Sequence, residues 1–428
     1  MTLRVIETFS GIGSQAKALS NLSKKNPNFS HEIVATAEWE ISAIYAYDII
    51  HNGPQDLSKY ADFSKEDLVS KLKKYNISSD GKQPINPKTI ERMQMKQLKA
   101  ILTSIDNNNN LVDISGISAS DLPDADLLTY SFPCQDLSIS SYWHGNFSGI
   151  EKGISNRSGL LWEIERILKE YEQNNKKLPR FLLMENVSAI HSPLHEKNFK
   201  SWQNELKRLG YMNCYYDLDA SDFGIPQSRL RTFMISIYAK DLDGRQKNEI
   251  LNFFDNTKLK DIHNKPSIAN FLRLDYSNPT YLKEAFDSTP NNTKSRRKIK
   301  TDSVPLAIGS VPCPNIAKTI TTKQDRNPNA GIIIHKCNWG KSEYRNLTPR
   351  ETFLLMGFEE SDFQALVDNN FNITKKRNIL TQSKLLKLSG NSIVVNILET
   401  IFEELWTVEK NIIKNEKIVS YKQKIDFQ

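Results

Sequence analysis

Five short apolar runs, at residues 4–9, 31–38, 125–132, 180–185 and 232–238, punctuate the first half of the chain. They are nearly continuous rather than alternating, which predicts strands buried on both faces. Between several of them the apolar positions fall at helical spacing, as in Gly159-Leu-Leu-Trp-Glu-Ile-Glu-Arg-Ile-Leu168. Strand and helix in alternation predict an α/β fold, with a mostly parallel sheet covered by helices on both faces.

The rhythm breaks twice. From about 51 to 110 the pattern is helical and polar, and we read it as an insertion packed on the sheet. Ser64-Lys-Glu-Asp67 is a capping box ahead of Leu68, Val69, Leu72 and Tyr75, and Asn86-Pro87 supplies a cap and first-turn proline for a second helix carrying Met95, Leu98 and Leu102. Residues 241–345 lose the βα rhythm and become rich in Asn, Pro, Thr and Lys, including the basic run Lys294-Ser-Arg-Arg-Lys-Ile-Lys300. This predicts a smaller, irregular second domain. Residues 346–379 read as a connecting segment, 380–410 as helix returning to complete the first domain (1–240), and 411–428 as a tail.

Composition narrows the class only a little. A chain of 428 residues can bury a large core, and 57 Lys+Arg against 50 Asp+Glu leave a formal charge of +7, a mild bias towards an anionic partner. Cys134, Cys214, Cys313 and Cys337 show no CxxC spacing, so a zinc site or disulfide framework is not expected. With neither a leader pattern nor an 18-residue apolar segment in the sequence, a cytoplasmic location is expected. The Asn, Lys and Ile bias would fit an AT-rich bacterial genome. His191 and His195 have i,i+4 spacing, but Pro193 breaks the register and no metal is expected there.

The chemistry lies at the strand ends. Phe9-Ser-Gly-Ile-Gly13-Ser-Gln-Ala16 follows the first strand and opens a helix, the G-x-G-x-x-A spacing that lets a ligand approach bare backbone. Glu38, ending the next strand, can accept both ribose hydroxyls, and Trp39 can stack on adenine. An adenosine cofactor is expected; NAD and S-adenosylmethionine both meet these conditions. Cys134, in Pro133-Cys-Gln135, stands where a strand would deliver a thiol into a cleft. Glu185-Asn-Val187 and Gln227-Ser-Arg-Leu-Arg231 border two other runs. A thiol beside a carboxyl and paired arginines suits covalent activation of a pyrimidine ring, with Cys134 adding at C6, Glu185 serving N3, and Arg229 favouring the thiolate. Arg231 would assist or hold Glu185. Hydride transfer needs none of these groups.

In that order and spacing, together with Asp113-Ile114, Arg350-Glu351, Met356-Gly-Phe358 and Gly390-Asn-Ser392, the blocks resemble the bacterial-type C5-cytosine DNA methyltransferases. The resemblance implies a Rossmann-like S-adenosylmethionine-dependent methyltransferase sheet and, at 241–345, a target-recognition domain. It implies an S-adenosylmethionine pocket lined by Phe9, Gly11, Ile12, Gly13, Glu38, Trp39, Asp113, Ile114, Asn391 and Ser392. Cys134 would be the nucleophile, with Glu185, Arg229 and Arg231 around a flipped cytosine of double-stranded DNA. Ser138 and Ser140, in the loop after Cys134, and Gln227, Thr319 and Ile320 would serve DNA binding. That loop carries an extra aromatic stretch, Ser141-Tyr-Trp-His-Gly-Asn-Phe147. A monomer is expected, associated in function with a cognate restriction endonuclease. Three rivals stay open: a transfer-RNA cytosine methyltransferase, an NAD-dependent oxidoreductase and a catalytically silent DNA-binding protein.

Overall fold

The computed structural model describes residues 2–133, 158–256, 259, 266–336 and 340–414. Its main strands are β1 (Thr2–Thr8), β2 (Ser30–Ala37), β3 (Leu127–Tyr130), β4 (Phe181–Asn186), β5 (Tyr211–Asp219) and, after the two-residue β6 (Gln227–Ser228), β7 (Leu230–Tyr238). The central sheet has the order β2-β1-β3-β4-β7-β5. The pairings among β2, β1, β3 and β4 are parallel, whereas β7 runs antiparallel to both β4 and β5.

All five predicted strands are present; β5 is the one the apolar pattern did not reveal. It is an edge strand, buried only at Tyr211 and Leu218 and exposed at Tyr215, so it carries no continuous apolar run. The reversal at β7 has a covalent cause. The short link 220–229 holds a single 3₁₀ turn instead of a crossover helix, and a parallel return needs a crossover.

Successive strand residues enter opposite cores, as the two-residue period requires. Val5, Leu127 and Leu183 face the side covered by α1 (Ser14–Lys25), α2 (Ile41–Asn52) and the helix Val395–Thr407. Ile6, Leu128 and Leu182 face the helices Leu161–Gln173 and Glu196–Leu209. The helical run Gln382–Ile413 is long and apolar enough to span a membrane by composition, but most of it is buried within the fold.

The insertion has a core of its own. Helix α3 (Lys65–Leu72) begins with the predicted Ser64/Asp67 capping box. The predicted second helix is instead two: α4 (Pro87–Glu91), capped by Asn86, and α5 (Met95–Asn107), which carries Leu98 and Leu102. At the break Met93 is buried with Ile90, Leu98 and Ile101 against Ile41 and Ile44 of α2.

The segment expected to be irregular contains a small four-stranded sheet, β12-β11-β8-β9, built from β8 (Pro305–Ile308), β9 (Val311–Pro312), β11 (Ile332–Ile334) and β12 (Tyr344–Arg345). Between β9 and β11, β10 (Ala317–Lys318) pairs in parallel with β6, next to the main sheet. The helix Gly244–Asn256 packs at the other end of the chain, where Gln246 Nε2 donates to the Ile413 carbonyl at 3.0 Å.

Candidate active site

The glycine turn after β1 is held in an uncommon conformation. Phe9, Gly11 and Gly13 have φ of 56°, 57° and 77°, and a side chain at residue 13 would strike the rings of His51 and Tyr47. Glu38, at the end of β2, fixes the turn. One carboxylate oxygen accepts from Gly11 N at 3.0 Å; the other accepts from Trp39 N at 2.9 Å and Glu40 N at 2.8 Å. Burial outweighs these donors and raises the Glu38 pKa to about 7.

Asn110, a residue the sequence reading missed, connects this acid to the next segment. Its Oδ1 accepts from Glu38 N at 3.0 Å and Val112 N at 2.9 Å, while its Nδ2 donates to the Glu38 carbonyl at 3.0 Å. Held in this way, Val112 keeps a φ of 65°, costly for a β-branched residue. Asp113 follows. It caps a 3₁₀ turn by accepting from Ser115 N at 3.1 Å and also accepts from the Asn76 amide. Only a run of four asparagines hinted at Asn110 in the sequence.

The glycine turn, Glu38, Val112 and Asp113 line one cavity of about 570 Å³ that continues to the ends of β3 and β4. Phe9, Gly11, Ile12, Glu38, Trp39, Asp113, Ile114, Asn391 and Ser392 all border it; Gly13 lies behind, as the cap of α1. Ser392 is buried, its hydroxyl 2.6 Å from that of Ser14, whereas Asn391 is exposed. Gly390 is required by close approach: a Cβ there would lie 2.6 Å from the Thr321 and Thr322 backbone.

At the other end stand Pro133, Glu185 and Arg231. Cys134, Ser138 and Ser140 lie outside the described residues. The turn that leads to Cys134 is nevertheless anchored, because Asn186 Nδ2 donates to the Phe132 carbonyl at 3.0 Å. Burial lifts the Glu185 carboxyl above its usual range, while the positive charges of Arg231 and Arg229 pull it down. Arg231 Nε lies 3.5 Å from Glu185 Oε1.

Arg229 also serves the backbone of two other segments. It borders the cavity, but its guanidinium donates to the carbonyls of Ile320 at 2.9 Å, Gly390 at 3.1 Å and Ser392 at 2.7 Å. Gln227 and Ile320, expected at the DNA, are wholly buried. Gln227 Oε1 accepts from Ile320 N at 2.9 Å and its Nε2 donates to the Leu355 carbonyl at 2.8 Å, so Gln227 joins the segment of the second sheet to that around Leu355. Thr319 is half-buried and donates to the Ser228 carbonyl at 2.8 Å. The histidines take other roles: His191 meets Asp217 at 3.0 Å, and buried His195 precedes a helix.

Residues 89–407 match the C-5 cytosine-specific DNA methylases. The chain belongs to that family. As a DNA (cytosine-5-)-methyltransferase, it is 33% identical over 406 residues to the orphan methyltransferase M.SssI of Spiroplasma monobiae, covering 94% of this chain and 97% of that protein. It is 34% identical over 409 residues to the type II methyltransferase M2.ScrFI of Lactococcus lactis subsp. cremoris, covering 94% and 99%. Among solved structures, the S. pombe Dnmt2 methyltransferase shares the fold, with a TM-score of 0.57 and 18% identity over 95% of this chain and 98% of that one.

Proposed function

We propose that this methyltransferase binds duplex DNA between its α/β sheet and the 241–345 segment, everts one cytosine of a specific sequence, and methylates its C5. The observation that carries this reading is the single cavity joining the glycine turn and Glu38 to Pro133, Glu185 and Arg231. A nucleotide-sized group and a base would share one continuous space.

The donors and acceptors at the first end suit S-adenosylmethionine. Glu38 would take the ribose hydroxyls, Trp39 the adenine face, Asp113 the adenine amine, and the Phe9–Gly13 backbone the remainder. When bound, the cofactor supplies the electrophilic methyl that C5 accepts.

At the second end, cytosine C5 is a poor nucleophile until a thiolate adds at C6. The Cys134 thiolate adds to C6, moving electron density towards C5, while Glu185 holds a proton at N3 and orients the exocyclic amine. Its raised pKa favours the protonated form this requires. Arg231 stands beside Glu185 as the cation that limits this rise. After C5 gains its methyl, water takes the C5 proton, the C5–C6 double bond re-forms as the C6–S bond breaks and releases the Cys134 thiolate, and N3 returns its proton to Glu185. Eversion costs a few kcal/mol of stacking and pairing, offset by contacts in the pocket. The names of the two relatives, one orphan and one type II, support a role in DNA modification with or without a paired endonuclease.

Bisulfite sequencing of DNA from cells expressing the chain tests this reading. Wild type should protect cytosines at one sequence; Cys134→Ala should protect none and still bind S-adenosylhomocysteine. A 5-fluorocytosine duplex should give a denaturation-resistant conjugate with wild type alone. Methyl label in RNA instead of DNA, or turnover by Cys134→Ala, would overturn it.

A further inference from the structure

The insertion does more than decorate the sheet. Between α3 and α4 the chain turns back at 76–84, and Asn76, Asp80, Gly81 and Lys82 border the cavity on the side of Trp39 and Asp113. Backbone pairing seats this turn on the end of β2: Ser78 N donates to the Trp39 carbonyl at 2.7 Å, and Ile41 N to the Ser78 carbonyl at 2.9 Å. Lys387, from the C-terminal helical segment, clamps it by donating at 2.6 Å to both Glu40 Oε2 and the Asp80 carbonyl. Glu40 is buried, so this ion pair is shielded from water. Gly81, at φ 69°, admits the clamp; a Cβ there would lie 2.9 Å from Glu40 Oε2.

The turn reaches a group with a defined task. Asp113 Oδ1 accepts from Ser115, and its Oδ2 accepts from the Asn76 amide. An ionised carboxylate has about four acceptor sites on its two oxygens, so these bonds orient Asp113 without exhausting it. Asn76 itself is exposed.

We infer that the 76–84 turn is a cofactor-recognition wall and that Asn76 is a positioning residue, fixing Asp113 as an acceptor for the amine of adenine. This rests on the reading that S-adenosylmethionine occupies the cavity. An acceptor fixed there selects a six-amino purine and disfavours a six-oxo one, which presents a second acceptor to the carboxylate.

Calorimetric titration of the full chain without DNA tests the inference, using S-adenosylhomocysteine and its deaminated analogue S-inosylhomocysteine. Asn76→Ala should bind S-adenosylhomocysteine about 3- to 10-fold more weakly, on the scale of one lost oriented hydrogen bond, and bind the inosyl analogue as wild type does. Added to Asp113→Ala, it should have no further effect. Its cofactor KM should rise with kcat and thermal midpoint unchanged. Equal weakening for both ligands, or no weakening, overturns the inference alone. Failure of wild type to bind S-adenosylhomocysteine overturns the cofactor reading and this inference with it.

Discussion

The hydroxyls of Ser14 and Ser392 lie 2.6 Å apart across 378 positions of sequence. The helix that opens beneath the glycine turn is thus tied to the last block of the site. Ser392→Ala should leave the Ser14 hydroxyl buried without that partner, at a cost of about 1–2 kcal/mol. A shift in the urea midpoint, with weaker binding of S-adenosylhomocysteine, checks this.

The two arginines near the cavity should separate in their effects. Arg229 holds three carbonyls from two distant segments, and lysine cannot reproduce that fork, so Arg229→Lys should destabilise the chain by about 3 kcal/mol. Arg231→Ala should lower the rate roughly 100-fold, because Glu185, whose pair with Arg231 is only 15% and 13% exposed, loses the neighbour that orients it. Chemical denaturation and single-turnover methylation, run on both variants, distinguish the roles.

Glu38 makes cofactor affinity depend on pH. Its pKa is raised to about 7 by burial, so part of the population is protonated at neutral pH. Ribose hydroxyls donate to the ionised form, so binding expels the proton. Affinity for S-adenosylhomocysteine should therefore climb from pH 6 towards 7 and level off above 8. The same shift acts oppositely on stability. The unfolded group ionises near its ordinary value of 4.5 while the folded one keeps its proton, so stability declines as pH rises from about 4.5 to 7. Glu38→Gln should flatten the affinity profile, measured by titration calorimetry, and reduce the stability slope, measured by melting, while buried Glu7, raised likewise to about 7, keeps the rest of that slope.

Asn186 holds the turn that delivers Cys134, through its bond to the Phe132 carbonyl. Asn186→Ala should lower kcat by 10- to about 100-fold, the scale of a displacement near 1 Å at a reacting group. Cofactor affinity should not change. Equal loss of both would assign Asn186 to general stability.

The sheet and the chemical strand ends were readable because each apolar run stops abruptly at a polar cluster: Thr8 at the glycine turn, Ala37 at Glu38, Met184 at Glu185. Edge strand β5 was not, since a strand with one wet side has no continuous apolar run. The inward turn of Gln227 and Arg229 was equally hidden. Their partners, Leu355, Ile320 and Ser392, lie 91 to 163 positions away, beyond the reach of any local pattern. Asn110 and Lys387 escaped for the same reason. A single amide or amine in a polar stretch gives no sign of the long-range bond it will make.

The return of the C-terminal helix to α1, where Asn21 donates to Glu399 at 2.6 Å, fixes the order in which the enzyme matures. A nascent polypeptide that has emerged only through β7 has Cys134 and the glycine turn but lacks Ser392, Lys387 and the helix that covers one face of the sheet. Residues 241–345, proposed to read DNA, are synthesised before Lys387 and Ser392 complete the cavity. Ribosome-bound fragments should therefore be silent towards the chromosome until the final helix emerges.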